Sequence, residues 1–107
     1  MRLSERSCSP DKNLISSEQA REYLNKLDHW SMPEDEPELI RKEFIFNNYM
    51  EGAEFVMKVA SSADSEDHHP DMTLKYKKVE VAFTSHKAGG LTENDFIMAK
   101  KTDKIFS

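Results

Sequence analysis

The sequence predicts an α+β domain: a small antiparallel sheet with helices packed on one face. Three observations lead there. Apolar residues recur at helical spacing in three stretches, each with a capping side chain before it. Period-two alternation occupies three others. The two patterns follow one another as helix, strand, helix, strand, strand, helix. With 107 residues the chain suits one domain, expected over 17–107 behind a flexible N-terminal tail over 1–16.

Ser16 and Gln19 form a capping-box pattern, in which each side chain satisfies the other's free backbone N–H. Ala20, Tyr23, Leu24 and Leu27 then repeat at helical spacing, predicting a helix over 17–27. A short strand fits around Trp30, and the acidic stretch Pro33–Pro37 reads as a loop. Leu39–Phe46 alternates as a strand. It places Lys42 on the same face as Ile40, Phe44 and Phe46, and should stop where Asn47 and Asn48 offer helix caps.

From Tyr49 to about Ala63 the spacing predicts a helix with Tyr49, Ala53, Val56, Ala60 and Ala63 in one stripe. Phe55, Met57 and Val59 lie partly off it. An apolar surface wider than one packing face is either a subunit contact or a helix sunk deeper in the core. Leu74 and Tyr76 alternate with lysines, then Val79, Val81 and Phe83 with Glu80, Ala82 and Thr84. Two strands joined near Lys77 and Lys78 account for both phases. Ala88-Gly89-Gly90 is a loop. Thr92 caps a last helix, with Asp95 at its third position, and Phe96, Ile97, Ala99 and Ile105 supply its buried side.

Composition excludes several classes. Fifteen basic against 20 acidic residues leave a net charge of −5, which argues against nucleic acid as a direct partner. The single cysteine, Cys8, rules out an internal disulfide and a thiolate metal cluster. That suits a reducing compartment such as the cytoplasm. No apolar run is long enough to span a bilayer, so no membrane partner is expected.

Three of the four histidines, His68, His69 and His86, fall where the chain leaves regular elements, positions from which side chains line clefts. Pro70 pushes the backbone of His69 towards an extended conformation. Histidine gives and takes protons near neutral pH. Spacing alone leaves the pair open between solvated loop residues and proton-transfer groups. A three-histidine zinc site is a further alternative, but no two histidines show the i, i+4 spacing that makes such a site legible.

The run Asp64 to Asp67, then His68-His69-Pro70, Tyr76, His86 and Asp95 resembles the signature of the pterin-4a-carbinolamine dehydratases. The gaps agree throughout: five residues between Pro70 and Tyr76, nine between Tyr76 and His86, eight between His86 and Asp95. The likeness runs from about Trp30 to Ala99. It implies dehydration of 4a-hydroxytetrahydrobiopterin to the quinonoid dihydropterin, the recycling step after aromatic amino-acid hydroxylation, with no metal or organic cofactor. It also implies catalysis by His68, His69 and His86, and a pterin substrate held by Asp64, Asp67, Thr84, Ser85 and Lys87.

Members of that family form homodimers or homotetramers, and some double as dimerisation cofactors for a homeodomain transcription factor. A transcription-factor partner, met partly in the nucleus, is therefore the alternative the resemblance carries. Tyr76 and Asp95 read most simply as a core residue and a helix-capping residue. Met72 stands where many members carry tryptophan, and the stretch before Ser16 matches nothing in the common pattern.

Overall fold

A computed structural model describes residues 6–9 and 12–107. The expected capping box forms at the start of α1 (Ser17–Leu24): Ser16 accepts from the N–H of Gln19, whose side chain accepts from the N–H of Ser16. The helix stops three residues before the expected Leu27. Lys26 N–H and Leu27 N–H bond three residues back, to Tyr23 and Leu24, which tightens the last turn. His29, at φ 67°, then reverses the chain and sends Trp30 into the core. The short strand expected around Trp30 is reduced to one bridge, Ser31 to Arg41.

Strands β1 (Ile40–Ile45), β2 (Asp71–Lys75) and β3 (Lys78–Phe83) form one sheet in the order β1-β3-β2, with both neighbouring pairs antiparallel. Helix α2 (Tyr49–Glu66) connects β1 to β2 across the middle strand, and α3 (Glu93–Phe106) closes the chain. Ile40, Phe44, Val79, Val81 and Phe83 point to the helix-covered face and are buried, so the α+β class holds. The β2–β3 turn falls at Tyr76–Lys77, one residue before the expected join. Tyr76 is therefore 72% exposed at a turn, where the pattern had suggested a core position.

Helix α2 buries a stripe that shares Ala63 with the expected one but is otherwise shifted. Gly52, Phe55, Val59 and Ala63 face the core, while Tyr49, Met50, Met57 and Ala60 face outward. The helix sits so close to the sheet that a Cβ on Gly52 would lie 3.2 Å from Leu74 Cδ1. A side chain there would need Leu74 to give by a few tenths of an ångström, so glycine suits this close approach. Lys42, placed on the apolar face by strand alternation, is satisfied there by Asp103 of α3 at 2.8 Å. The Asp103 carboxylate also accepts from Trp30 Nε1–H. Among the described residues, no buried side-chain nitrogen or oxygen is left without a partner.

Candidate active site

Two chain reversals bring the site residues together. Helix α2 runs to Glu66, three residues past the expected Ala63, so Asp64 belongs to its last turn. Asp67 caps it in the left-handed region at φ 52°, donating its N–H to Ala63 and Asp64, and His68 N–H also reaches the Ala63 carbonyl. This tight exit leaves the two histidines with different surroundings. The second reversal follows β3, where Ser85 bridges Gly90 and Gly89, at φ 80°, supplies the turn conformation. His86 and Lys87 ride on that turn, and Thr92 then caps α3.

His68 packs flat against Phe83, ring centres 6.2 Å apart and planes 12° from parallel. Its Nε2 lies 2.7 Å from Oδ1 of Asp95. Asp95 is completely buried, and its other oxygen accepts from the Ser85 hydroxyl and the Thr92 N–H, each at 2.9 Å. Ser85 and Thr92 share a further hydroxyl bond at 2.8 Å. The capping role expected of Asp95 is therefore real, and the same carboxylate also holds an imidazole. That second role escaped the sequence reading; its one trace was the fixed spacing of Asp95 from His86.

His69 is more than half exposed, and its Nε2 lies 2.8 Å from Oδ1 of the exposed Asp64. His68, His69, His86, Asp67, Thr84, Ser85 and Lys87 all border one cavity of about 370 Å³, within the usual range for small-molecule sites. Asp64 does not border it; its side chain meets His69 and its backbone carbonyl accepts from the Asp67 N–H. Thr84 turns its hydroxyl to the Glu38 carbonyl at 2.6 Å. Among the described residues, no three His, Cys, Asp or Glu side chains gather as metal ligands, and no helix is long and apolar enough to cross a membrane.

The cavity has a further wall that sequence reasoning set aside. Cys8, Ser9 and Lys12 line it from the N-terminal stretch, beside Glu66 and Asn94. Cys8 N–H donates to Glu66 Oε1 at 2.7 Å. Ser9 exchanges two backbone bonds with the Asn94 amide, at 3.1 and 2.7 Å. Glu93 gathers Arg6, Lys12 and the Tyr23 hydroxyl within 2.7–2.8 Å. The Lys12 ammonium, with help from Tyr23, holds the Glu93 carboxyl below its ordinary value despite partial burial. Burial, reinforced by nearby Glu66, pushes the Cys8 thiol up to about 12.

Comparison with known proteins identifies the family. The family model described as pterin 4 alpha carbinolamine dehydratase matches residues 13–105. A protein of Nitrosospira multiformis, provisionally named a pterin-4-alpha-carbinolamine dehydratase, is 41% identical over 97% of this chain and 92% of its own. One from Sulfurisphaera tokodaii, named in the same way, is 40% identical over 87% of this chain and 97% of its own. A crystal structure from Brucella melitensis, described as a transcriptional coactivator/pterin dehydratase, superposes with a TM-score of 0.84. It is 30% identical and covers 89% of this chain and 100% of its own. A family match over most of the chain, joined to full-length relatives at this identity, places the protein in the pterin 4 alpha carbinolamine dehydratase family.

Proposed function

We propose that the protein dehydrates 4a-hydroxytetrahydropterin to the quinonoid dihydropterin, with His68 and His86 as its proton-transfer groups. The observation that carries this reading is the buried Asp95 carboxylate against His68 Nε2, at the edge of a cavity that His86 also borders. An ionised carboxylate only accepts hydrogen bonds, so the ring proton belongs on Nε2 and Nδ1 is left as the basic nitrogen. Orienting one tautomer in this way prepares a histidine to accept a proton.

The reaction needs two proton movements. The bond from C4a to oxygen breaks once the hydroxyl has taken a proton and leaves as water. The N–H pair on the adjacent ring nitrogen becomes the new C–N π bond as that nitrogen loses its proton. We assign His68 to remove the nitrogen proton and His86, on the turn after β3, to protonate the hydroxyl. His69, tied to exposed Asp64, supports the site from its rim. Asp67, Thr84, Ser85 and Lys87 would hold the pterin partly through backbone groups of the two reversals. Tetrahydrobiopterin recycling is the metabolic setting we infer.

Self-association is part of the same reading. Tyr49, Met50 and Met57 are 48–71% exposed on one side of α2, the kind of apolar patch that a second copy would cover. The coactivator role named for the Brucella melitensis protein stands second. Charge substitutions that probe either partner belong at Met50 and Met57. Phe55 is buried, so changing it would damage the core instead.

The test is to add purified protein to freshly generated 4a-hydroxytetrahydropterin and follow quinonoid product against the spontaneous rate. Acceleration that is lost in His68→Ala and His86→Ala supports the assignment. A folded protein that leaves the spontaneous rate unchanged sinks it.

A further inference from the structure

We infer that the N-terminal strap, Arg6–Ser9 with Lys12, is a working wall of the pterin pocket that sets how tightly the substrate is held. This rests on the dehydratase reading above, and it assigns the strap to binding, with no part in proton transfer. The strap precedes residue 13, where the match to the family model begins.

Where the strap is anchored is the main argument. Cys8 is bonded to Glu66, the residue directly before Asp67 and His68. Ser9 is bonded on both sides of its backbone to Asn94, the residue directly before Asp95. Arg6 and Lys12 close on Glu93, one residue earlier. The strap is thus stitched to the two chain segments that meet in the His68–Asp95 pair, and it spans the space between them. Cys8, Ser9 and Lys12 border the cavity together with the histidine reversal and the Ser85–Gly90 turn.

The physical consequence is specific. A wall bonded to both sides of the cavity adds contact area and excludes water without reaching the reacting atoms. Such contacts act equally on bound substrate and transition state, so their loss raises KM and leaves kcat nearly unchanged. Cys8 supplies an independent reading of strap position. Its thiol is half-buried and hydrogen-bonded toward the Asn94 carbonyl, so release of the strap exposes it to alkylation.

The experiment uses the full-length chain with two variants that loosen the strap from opposite sides, Arg6→Ala/Lys12→Ala and Asn94→Ala. Alkylation of Cys8 by iodoacetamide is timed for each, and KM and kcat are measured with 4a-hydroxy pterins bearing a 6-methyl or a dihydroxypropyl group. We expect Cys8 to react about tenfold faster in both variants, the change expected for losing one or two hydrogen bonds. We expect KM to rise about three- to tenfold while kcat stays within about twofold. A larger KM change for the dihydroxypropyl compound would place the pterin side chain against the strap, whereas equal changes would place the ring there.

Faster alkylation with unchanged KM would overturn the proposal. So would unchanged alkylation in both variants, since the contacts named would then not hold the strap. A fall in kcat at constant KM would assign the strap to the chemical step and also overturn it. Should the wild-type protein show no dehydration at all, the parent reading fails. Protection of Cys8 by 7,8-dihydrobiopterin would then still separate a pterin-binding strap from one that binds nothing.

Discussion

His68 Nε2 stands 2.7 Å from Oδ1 of Asp95, a carboxylate with no exposed surface whose other oxygen is filled by Ser85 and Thr92. One side chain therefore caps α3, ties the β3–α3 turn to the helix, and orients the imidazole at the pocket. Its removal should be felt in stability and in rate together. Asp95→Asn keeps the volume but offers a donor where three donors converge. We expect a loss of about 2–4 kcal/mol in unfolding free energy and at least about a tenfold drop in rate. Denaturant unfolding beside the dehydration assay checks both. An Asn protein with full activity would show that His68 needs no carboxylate.

The two histidines of the pair should separate cleanly. His68 is mostly buried and held by a buried partner, whereas His69 and Asp64 form an exposed pair. His68→Ala should cost about 100-fold or more in kcat, the usual size of a general acid or base contribution. Asp64→Ala should change stability by no more than about 0.5 kcal/mol, because exposed ion pairs contribute little. Its effect on rate should stay within severalfold. Steady-state kinetics on the two variants decide the order.

Strap docking should depend on pH through Glu93. Its folded carboxyl titrates below the ordinary 4.5, chiefly because Lys12 donates to it. Its contribution is therefore present above the ordinary carboxylate value and disappears as pH falls through the folded one. Tyr23 acts in the opposite range. Burial and its bond to Glu93 raise the phenol above 10, so its contribution is intact below 10 and is lost as pH rises through the folded value. Cys8 alkylation between pH 3 and 7, corrected for thiolate fraction, should accelerate at the acid end in the native protein. In Glu93→Gln it should be fast throughout.

Lys42 and Asp103 make a separate stability test away from the pocket. Asp103→Ala would leave a mostly buried ammonium and the Trp30 N–H without their acceptor. We expect about 2–3 kcal/mol of destabilisation, somewhat below the cost of breaking a fully buried pair because both groups retain some exposure. Lys42→Met should cost less, since Asp103 keeps its bond to Trp30 and the methionine suits the apolar face. Urea midpoints of the two single variants and the double variant would show the coupling.

Charging the outward side of α2 should change mass before it changes fold. Met57 is 71% exposed, so Met57→Glu should leave the circular dichroism spectrum and melting behaviour of the monomer intact. If copies of the chain associate through this face, light scattering will report a smaller particle for the variant than for the native protein.

Much of this molecule follows from local chemistry. The capping boxes at Ser16–Gln19 and Thr92–Asp95 and the period-two runs at β1 and β3 depend on neighbours within a few residues. They formed close to where the pattern put them. The histidines were legible as a group because their chemistry and spacing are written in one dimension. What the sequence could not settle depended on contacts between distant residues. Gly52 sits close against Leu74, and the buried stripe of α2 is centred on Gly52, Phe55 and Val59, which periodicity did not suggest. Alternation put Lys42 on the apolar face, and its partner there, Asp103, lies 61 residues away. Asp95 read as a cap because its capping partner is three residues away, while its partner His68 is 27 residues away. The N-terminal strap read as a tail because its polar residues have no apolar period, and its anchors, Glu66 and Glu93-Asn94, lie more than 50 residues downstream. Local hydrogen bonding and periodicity decide which elements form. Only close packing of those elements decides which polar groups are brought together, buried and made able to act.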